Sequence, residues 1–223
     1  SAEQRAGRAG RLGPGRAFRM WTEAEHRRLA SAERPEVTRV DLAPAVLQVA
    51  AWSGTDPAAF GWFEAPPPAT LRAAVRLLRR LGALRPEGFR PTRLGEVLAE
   101  LPVHPRLGKL LLVARAFGVL EAGARLAALA SERDVLRDRG RRTDRVGSSD
   151  LLERLERLEA VARGAAPETE GLDPRGAKAV LRASERLARI AERAPSLALA
   201  SGAAGEEALL RAVLAGFPDR VAL

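Results

Sequence analysis

Three polar residues near the start of the sequence, Gln4, Arg8 and Arg11, are spaced at i, i+4 and i+7. If this stretch is helical, the spacing places their side chains on one face. The glycines and alanines between them are small and would let a partner approach that face closely. Such a set of long donors could grasp a polyphosphate and stabilise the charge of a phosphoryl group in transfer, as an arginine finger does. An exposed basic helix or an unstructured Arg/Gly tract would explain the same residues.

The stretch QRAGRAGR, residues 4–11, resembles the last helicase motif of superfamily-two helicases, in the form Q-R-x-G-R-x-G-R that is typical of DEAH-box enzymes. Further stretches are similar to the bacterial HrpB-type ATP-dependent helicases, namely PGRAFRMW, PPPATLRAAVRLLRRLGAL, LGEVLAELPVHPRLGKLLL, ALASERDVL and AGFPDRVA. The resemblance covers nearly the whole chain and is weakest across residues 137–205. Val135 departs from the family pattern, in which a proline follows SERD.

The resemblance implies a role for each residue of the motif. Gln4 resembles the glutamine that approaches the γ-phosphate of ATP and the attacking water, and Arg8 and Arg11 resemble the two arginine fingers that reach the γ-phosphate. In this family the motif belongs to the second RecA-like domain and faces ATP with Mg²⁺, which the first RecA-like domain holds. Arg5 lies off the shared face and is expected to be a structural or interdomain residue.

Two motifs of the complete motor do not occur in the sequence. No stretch reads G-x-x-x-x-G-K-[ST], the loop that cradles phosphates, and none reads D-E-x-H, which carries an acidic Mg²⁺ ligand. We therefore expect a C-terminal fragment of an ATP-dependent RNA or DNA helicase that neither hydrolyses ATP nor unwinds by itself. The alternatives are a winged-helix nucleic-acid-binding regulator without enzymatic activity and a helical adaptor.

The domain organisation is also implied by the resemblance. Residues 1–34 would be the C-terminal end of the second RecA-like domain, residues 35–100 a winged helix, and residues 101–223 a helical ratchet bundle that leans over a single strand of RNA or DNA. The winged helix of this family is mainly a scaffold. A duplex-reading role would need an exposed recognition helix, for which residues 71–81 are the candidate.

Local patterns predict the individual elements of a mainly α fold. We expect helices at residues 2–10, 41–51 and 71–81, a strand at residues 16–21, and a hairpin around residues 86–88. Thr22 with Glu25 has the spacing of a capping box, and Asp41 is expected to cap the following helix. The remaining predicted helices span residues 93–101, 105–117, 121–133, 150–163, 174–193 and 205–216. Apolar residues recur at helical spacing in residues 71–81, and the opposite side carries Arg72, Arg76, Arg79 and Arg80.

The charge composition indicates which kind of partner the protein could bind. Lys and Arg number 37 against 28 Asp and Glu, which gives a formal charge of +9, and only Lys109 and Lys178 are lysines. Arginine binds phosphates through a planar fork of donors, so the excess suits nucleic acid. A genome that encodes basic residues mostly as arginine would produce the same excess.

Other function classes are excluded or disfavoured by composition. The sequence has no cysteine, which excludes disulfides and thiolate chemistry, and its two histidines are too few and too far apart to suggest a metal site. No apolar run is long enough to cross a membrane and no secretory signal is visible, so we expect a cytoplasmic protein without a membrane partner. The sequence does not indicate whether RNA or DNA is preferred, and it does not indicate the oligomeric state.

Four basic residues are candidates for contact with nucleic acid. Arg106 and Lys109, one turn apart, could line the strand channel of the bundle, or could be solvated helix residues. Arg141 and Arg142 lie in an arginine-rich loop, residues 133–145, that suits phosphate contacts and equally suits a solvated loop. His104 precedes Pro105 and is expected to be a helix-entry residue with its ring hydrogen-bonded.

Overall fold

The computed structural model describes residues 2–29, 35–131, 150–197, 202 and 204–220. The chain forms two compact units, one of residues 1–40 and 62–67, and one of residues 41–61 and 68–223. The described residues form no strand, and helices dominate, so the predicted mainly α fold is confirmed. The predicted boundary at residues 100 and 101 falls inside the second unit.

Where the first unit is described, it holds two short helices, α1 (Ala2–Ala9) and α2 (Glu23–Arg28), and a 3-10 turn at Glu36–Thr38. The predicted capping box of α2 is confirmed. The Thr22 hydroxyl accepts a bond from the Glu25 N–H at 3.2 Å, and the Glu25 carboxylate accepts one from the Thr22 N–H at 2.7 Å. These bonds from Thr22 hold the pKa of Glu25 below its ordinary value.

The strand predicted at residues 16–21 is wrong. This segment has no ladder partner among the described residues, and its Phe18 and Met20 side chains are 80% and 90% exposed. A strand requires a neighbour that accepts its backbone hydrogen bonds and covers its apolar face. The segment has the apolar and aromatic residues of a strand, but none of the described residues supplies that neighbour.

The first part of the second unit contains α3 (Ala43–Ser53), a 3-10 turn (Pro57–Ala59), α4 (Pro68–Arg80) and α5 (Arg93–Glu100). Asp41 caps α3 from one position further upstream than a standard N-cap, because its carboxylate accepts the Ala43 N–H at 2.8 Å. The core of these three helices includes the buried side chains of Leu47, Leu78, Leu81, Leu84 and Leu98. The four predicted arginines of α4 are exposed.

The predicted hairpin is present between α4 and α5, shortened to one antiparallel bridge between Leu84 and Pro91. Thr92 N–H donates to the Ala83 carbonyl at 2.9 Å, and Arg85 N–H donates to the Arg90 carbonyl at 3.1 Å. The turn passes through Gly88 at φ +69°, a conformation that glycine adopts without strain.

The described residues of the rest of the second unit include five helices: α6 (Pro105–Ala116), α7 (Leu120–Ser131), α8 (Asp150–Ala162), α9 (Pro174–Arg193) and α10 (Gly205–Gly216). Their core includes Leu110, Leu111 and Ala114 of α6, which pack with residues of α7, α9 and α10. A Cβ at Gly123 would lie 2.5 Å from the Ala114 Cβ, so only glycine lets α6 and α7 approach this closely.

Polar side chains of α6 reach the C-terminal ends of other helices. Lys109 Nζ donates to the Leu81 carbonyl at the end of α4, at 2.7 Å. The Arg115 guanidinium donates to carbonyls at the end of α9. These include the carbonyl of Ala191, that of Ala194 at 2.7 Å, and that of Pro195 at 2.9 Å. The last carbonyls of a helix have no partner within it and carry partial negative charge, so these cations satisfy and stabilise both ends.

Replacing Arg115 by Met should therefore destabilise the protein. Arg115→Met leaves several carbonyls of a partly buried helix end without a donor, and we expect the free energy of unfolding to fall by about 2 kcal/mol. Urea denaturation followed by circular dichroism measures the change. The control is Arg211→Met, which removes an exposed ion pair with Glu207 and should change stability by less than about 0.5 kcal/mol. Equal effects of the two substitutions would contradict the capping role.

Candidate functional site

Gln4, Arg8 and Arg11 line one concavity of about 600 Å³, together with Arg5 and Gly7. Gln4 and Arg8 are one turn apart on α1, whereas Arg11 lies two residues beyond the end of that helix. All three side chains are exposed to solvent. The structure thus brings together the residues that the sequence selected, although α1 supplies only two of them.

The backbone after α1 positions Arg11 by folding back on the helix. A Cβ at Gly15 would lie 1.9 Å from the Ala9 carbonyl oxygen, so the chain can pass this close to the end of α1 only with glycine at position 15. At Gly7, in contrast, an added Cβ would meet no atom within 4 Å. The floor of the concavity is therefore open for a ligand.

The expected structural or interdomain role of Arg5 stays a prediction. Arg5 nevertheless lines the same concavity, although the sequence places it off the shared face. The reason is its distance from Arg8, which is three residues along the helix. Residues three apart are neighbours on a helix surface just as residues four apart are. The concavity therefore presents three guanidinium groups and one amide, and no carboxylate is among the side chains that line it.

Arg106, which the sequence suggests as a strand contact, is committed to an ion pair within the bundle. Its guanidinium donates to both carboxylate oxygens of Asp219, with Nη2 at 2.7 Å from Oδ2, and lies 5.4 Å above the centre of the Phe217 ring. Its side chain is only 12% exposed. The bond from Arg106 is the main cause that lowers the pKa of Asp219 to about 2.

Lys109 is half-buried between α6 and the end of α4, where it donates to the Leu81 carbonyl. Burial lowers the pKa of its amine, since leaving water disfavours the charged form. The charges of Lys109 and Arg106 are thus used inside the protein, which argues against the predicted contact of this pair with a strand. A periodic pattern cannot distinguish a cation that faces water from one that faces a helix end.

His104 begins α6, as expected. Its Nδ1 accepts the Arg106 N–H at 3.2 Å, which leaves the ring proton on Nε2 in the neutral form. Nε2 lies 3.3 Å from a carboxylate oxygen of Asp41, at the start of α3. The pKa of His104 is lowered mainly by burial, an effect that Asp41 partly offsets.

The remaining candidates, Arg141 and Arg142, lie outside the described residues, as does the whole loop of residues 133–145 that contains them. Sequence reasoning missed Arg115, whose only signal is its place as a basic residue in the last turn of α6. In the described ranges no three His, Asp or Glu side chains are grouped so that they could hold a metal ion. None of the described helices has the length and apolar character needed to cross a membrane.

Comparison with known proteins identifies relatives among helicases. The chain is 43% identical over 132 residues to a human protein named "Probable ATP-dependent RNA helicase DHX34", an alignment that covers 59% of this chain and 11% of the relative. It is 36% identical over 151 residues to "ATP-dependent RNA helicase HrpB" of Escherichia coli strain K12, covering 68% of this chain and 17% of that protein. No family model matches the chain.

Two solved structures resemble the whole described fold. Crystal structures of E. coli HrpB, one described as a DExH-box NTPase and the other as a DEAH/RHA helicase, match 98% of this chain and 23% of their own chains. Both are 29% identical, with TM-scores of 0.56 and 0.58. The resemblance to HrpB-type helicases is therefore confirmed, and the chain spans between 11% and 17% of the curated relatives named above.

The ion pair between Arg106 and Asp219 should make stability depend on pH in the acid range. The folded-state pKa of Asp219 is lowered to about 2, so its contribution is complete above the ordinary carboxyl pKa of 3.8 and is lost as the pH falls through 2. Asp219→Asn should lower the free energy of unfolding by about 2 kcal/mol at pH 7, with a smaller difference from the wild type near pH 2.

Urea denaturation of the wild type and the variant across this pH range tests the prediction. In an Arg106→Gln background the same Asp219→Asn substitution should have little effect at any pH, because the partner is already gone. A difference between wild type and variant that stays constant from pH 7 to pH 2 would contradict the assignment.

Proposed function

We propose that this chain is the portion of an ATP-dependent RNA helicase that supplies arginine fingers to the γ-phosphate of ATP. In this proposal residues 1–34 close the second RecA-like domain, residues 35–100 form the winged helix and residues 101–223 form the ratchet bundle. The observation that carries the proposal is the convergence of Gln4, Arg8 and Arg11 on one concavity in a chain whose relatives are named RNA helicases.

The residues of the concavity suit an anionic phosphate. When a phosphoryl group is transferred, negative charge spreads over its three equatorial oxygens and the leaving oxygen. Arg8 and Arg11 present planar forks of donors to such oxygens, and the Gln4 amide can accept from and donate to a water that attacks in line. The absence of carboxylates among the lining side chains avoids repulsion.

The nucleotide must be held from the opposite side. ATP with Mg²⁺ needs a phosphate-cradling loop and an acidic metal ligand, and the sequence carries neither motif. In our proposal the first RecA-like domain of the parent protein holds the nucleotide, and the fingers complete the site when the domains close. The chain by itself is then inactive as an ATPase. The alternative of a winged-helix regulator without enzymatic activity has less support, because it leaves the finger motif unexplained.

Activity of the longer protein tests the fingers. In the helicase that contains this chain, Arg8→Ala with Arg11→Ala should lower the kcat of RNA-stimulated ATP hydrolysis by about 10³-fold or more, because arginine fingers stabilise charge that develops in the transition state. The KM for ATP should change far less, since the first domain binds the nucleotide. Steady-state phosphate release measures both constants.

The matched control is Arg16→Ala, which removes an exposed arginine of the same unit that does not line the concavity. It should leave kcat within about twofold, as expected for a substitution that stabilises no transition-state charge. The proposal fails if the double variant keeps the wild-type kcat, or if the purified 223-residue chain alone hydrolyses ATP.

A further inference from the structure

One face of α9 carries a continuous basic stripe, which we call the α9 stripe. Its members recur every third or fourth residue along the helix, at Arg175, Lys178, Arg182, Arg186, Arg189 and Arg193. At 3.6 residues per turn these six positions fall within a sector of about 80°, and at 1.5 Å per residue they extend over about 27 Å. All six residues are exposed. The helix therefore presents one ridge of positive charge along almost its full length.

The charge of the stripe is not compensated locally. Within the described part of the chain, none of the six side chains forms an ion pair with a carboxylate. The acidic residues of the helix, Glu185 and Glu192, lie at one edge of the stripe and outside its sector. A surface that holds this many like charges together at a cost in repulsion is suited to a polyanionic partner.

Two arginines on the neighbouring helices α7 and α8 are paired with carboxylates, in contrast to the stripe. Arg125 of α7 lies 3.3 Å from the Glu121 carboxylate and 3.6 Å from that of Glu159 on α8. Arg157 of α8 pairs with Glu153, one turn before it. Arg125 and Arg157 thus each meet a carboxylate one helical turn away, which no residue of the α9 stripe does in the described part of the chain.

The bundle holds α9 firmly from behind and at both ends. The opposite face buries Ala177, Val180, Ala183 and Ala191. Asp173 caps the N-terminus by accepting the Gly176 N–H at 2.7 Å, and Arg115 of α6 satisfies carbonyls at the C-terminus. The stripe is thus preorganised, and a ligand that binds it does not need to order the helix.

We propose that the α9 stripe binds the sugar-phosphate backbone of a nucleic-acid strand. Successive cations are about 4.5 to 6 Å apart along the helix axis, so a run of phosphates can each meet a separate side chain. Guanidinium forks match phosphate oxygens, and five of the six residues are arginines. The helix contains no aromatic side chain that could stack on bases, so binding is independent of base sequence.

This inference rests on the proposed function for the identity of the polyanion, but not on the arginine fingers. It places the strand contact of the bundle on a surface that the sequence candidates did not include. Arg106 and Lys109 bind the Asp219 carboxylate and the Leu81 carbonyl within the second unit, whereas the α9 stripe faces solvent.

Binding of a fluorescently labelled single-stranded RNA to the 223-residue chain tests the proposal by anisotropy across a salt titration. Arg182→Gln, Arg186→Gln and Arg189→Gln are combined in one variant. It should raise Kd by about tenfold or more at about 0.1 M salt, and should reduce the slope of log Kd against log salt by about 2, since each lost phosphate contact on a single strand removes about 0.7. RNAs of different base sequence should give the same result.

The matched control removes the same number of charges from another exposed arginine surface, with Arg72→Gln, Arg76→Gln and Arg80→Gln on α4. It should change Kd by less than about threefold, an effect of net charge alone. A second stripe variant, which combines Arg182→Lys, Arg186→Lys and Arg189→Lys, keeps the charge and should keep the salt slope. Circular dichroism with thermal melting checks the helix content of every variant.

Three results would overturn the proposal. The first is wild-type RNA affinity in the stripe variant, and the second is an equal loss of RNA affinity in the α4 control. The third is a stripe variant that loses binding to anionic vesicles or polyglutamate but keeps its RNA affinity. The two proposals fail separately. Arg8→Ala with Arg11→Ala should leave the RNA affinity of the 223-residue chain unchanged, so a failure of the fingers in ATP hydrolysis does not alter this assay.

Discussion

The second unit depends on one helix that caps the ends of its neighbours. Helix α6 is apolar around most of its circumference, and the polar atoms it does carry satisfy backbone carbonyls of α4 and α9 or hold a carboxylate just beyond α10. Helix ends leave orphan carbonyls whose burial without a partner is costly. By supplying donors from its own side chains, α6 allows two helices to end inside the packed protein rather than at its surface. The geometry of both arginine-rich helices, α4 and α9, follows from where those ends are fixed.

Much of the local structure could be predicted because the responsible forces act over a few residues. The bounds predicted for α9 and α10 coincide with those observed, since proline, glycine and capping residues mark both ends of those segments. The capping box at Thr22 needed only two residues at the right spacing. The strand at residues 16–21 failed for the opposite reason. The local residue types predict a strand, but the neighbouring strand that would have to pair with it cannot be read from those six residues.

In the candidate site, too, local spacing predicted some residues and could not predict others. Spacing could select Gln4 and Arg8 as neighbours, because one turn of α1 joins them. It could not place Arg11, whose position depends on the fold of the chain at Gly15, and it did not indicate that Arg5 lines the same concavity. Arg106 and Lys109 show the larger limit. Their partners, Asp219 and the Leu81 carbonyl, are 113 and 28 residues away, so no local pattern could reveal that their charges are already used.

The bond between Lys109 and the Leu81 carbonyl also bears on how the chain can be divided. Sequence resemblance places a domain border at residue 100, between the helices that precede α6 and the bundle that it enters. The Lys109 ammonium group lies on one side of that border and is half-buried. The Leu81 carbonyl, which accepts its hydrogen bond, lies on the other side. Cutting the chain there would leave an unpaired cation on one fragment and an open helix end on the other. Residues on both sides of this border belong to one compact unit, so a recombinant fragment should begin before α3 and include α6.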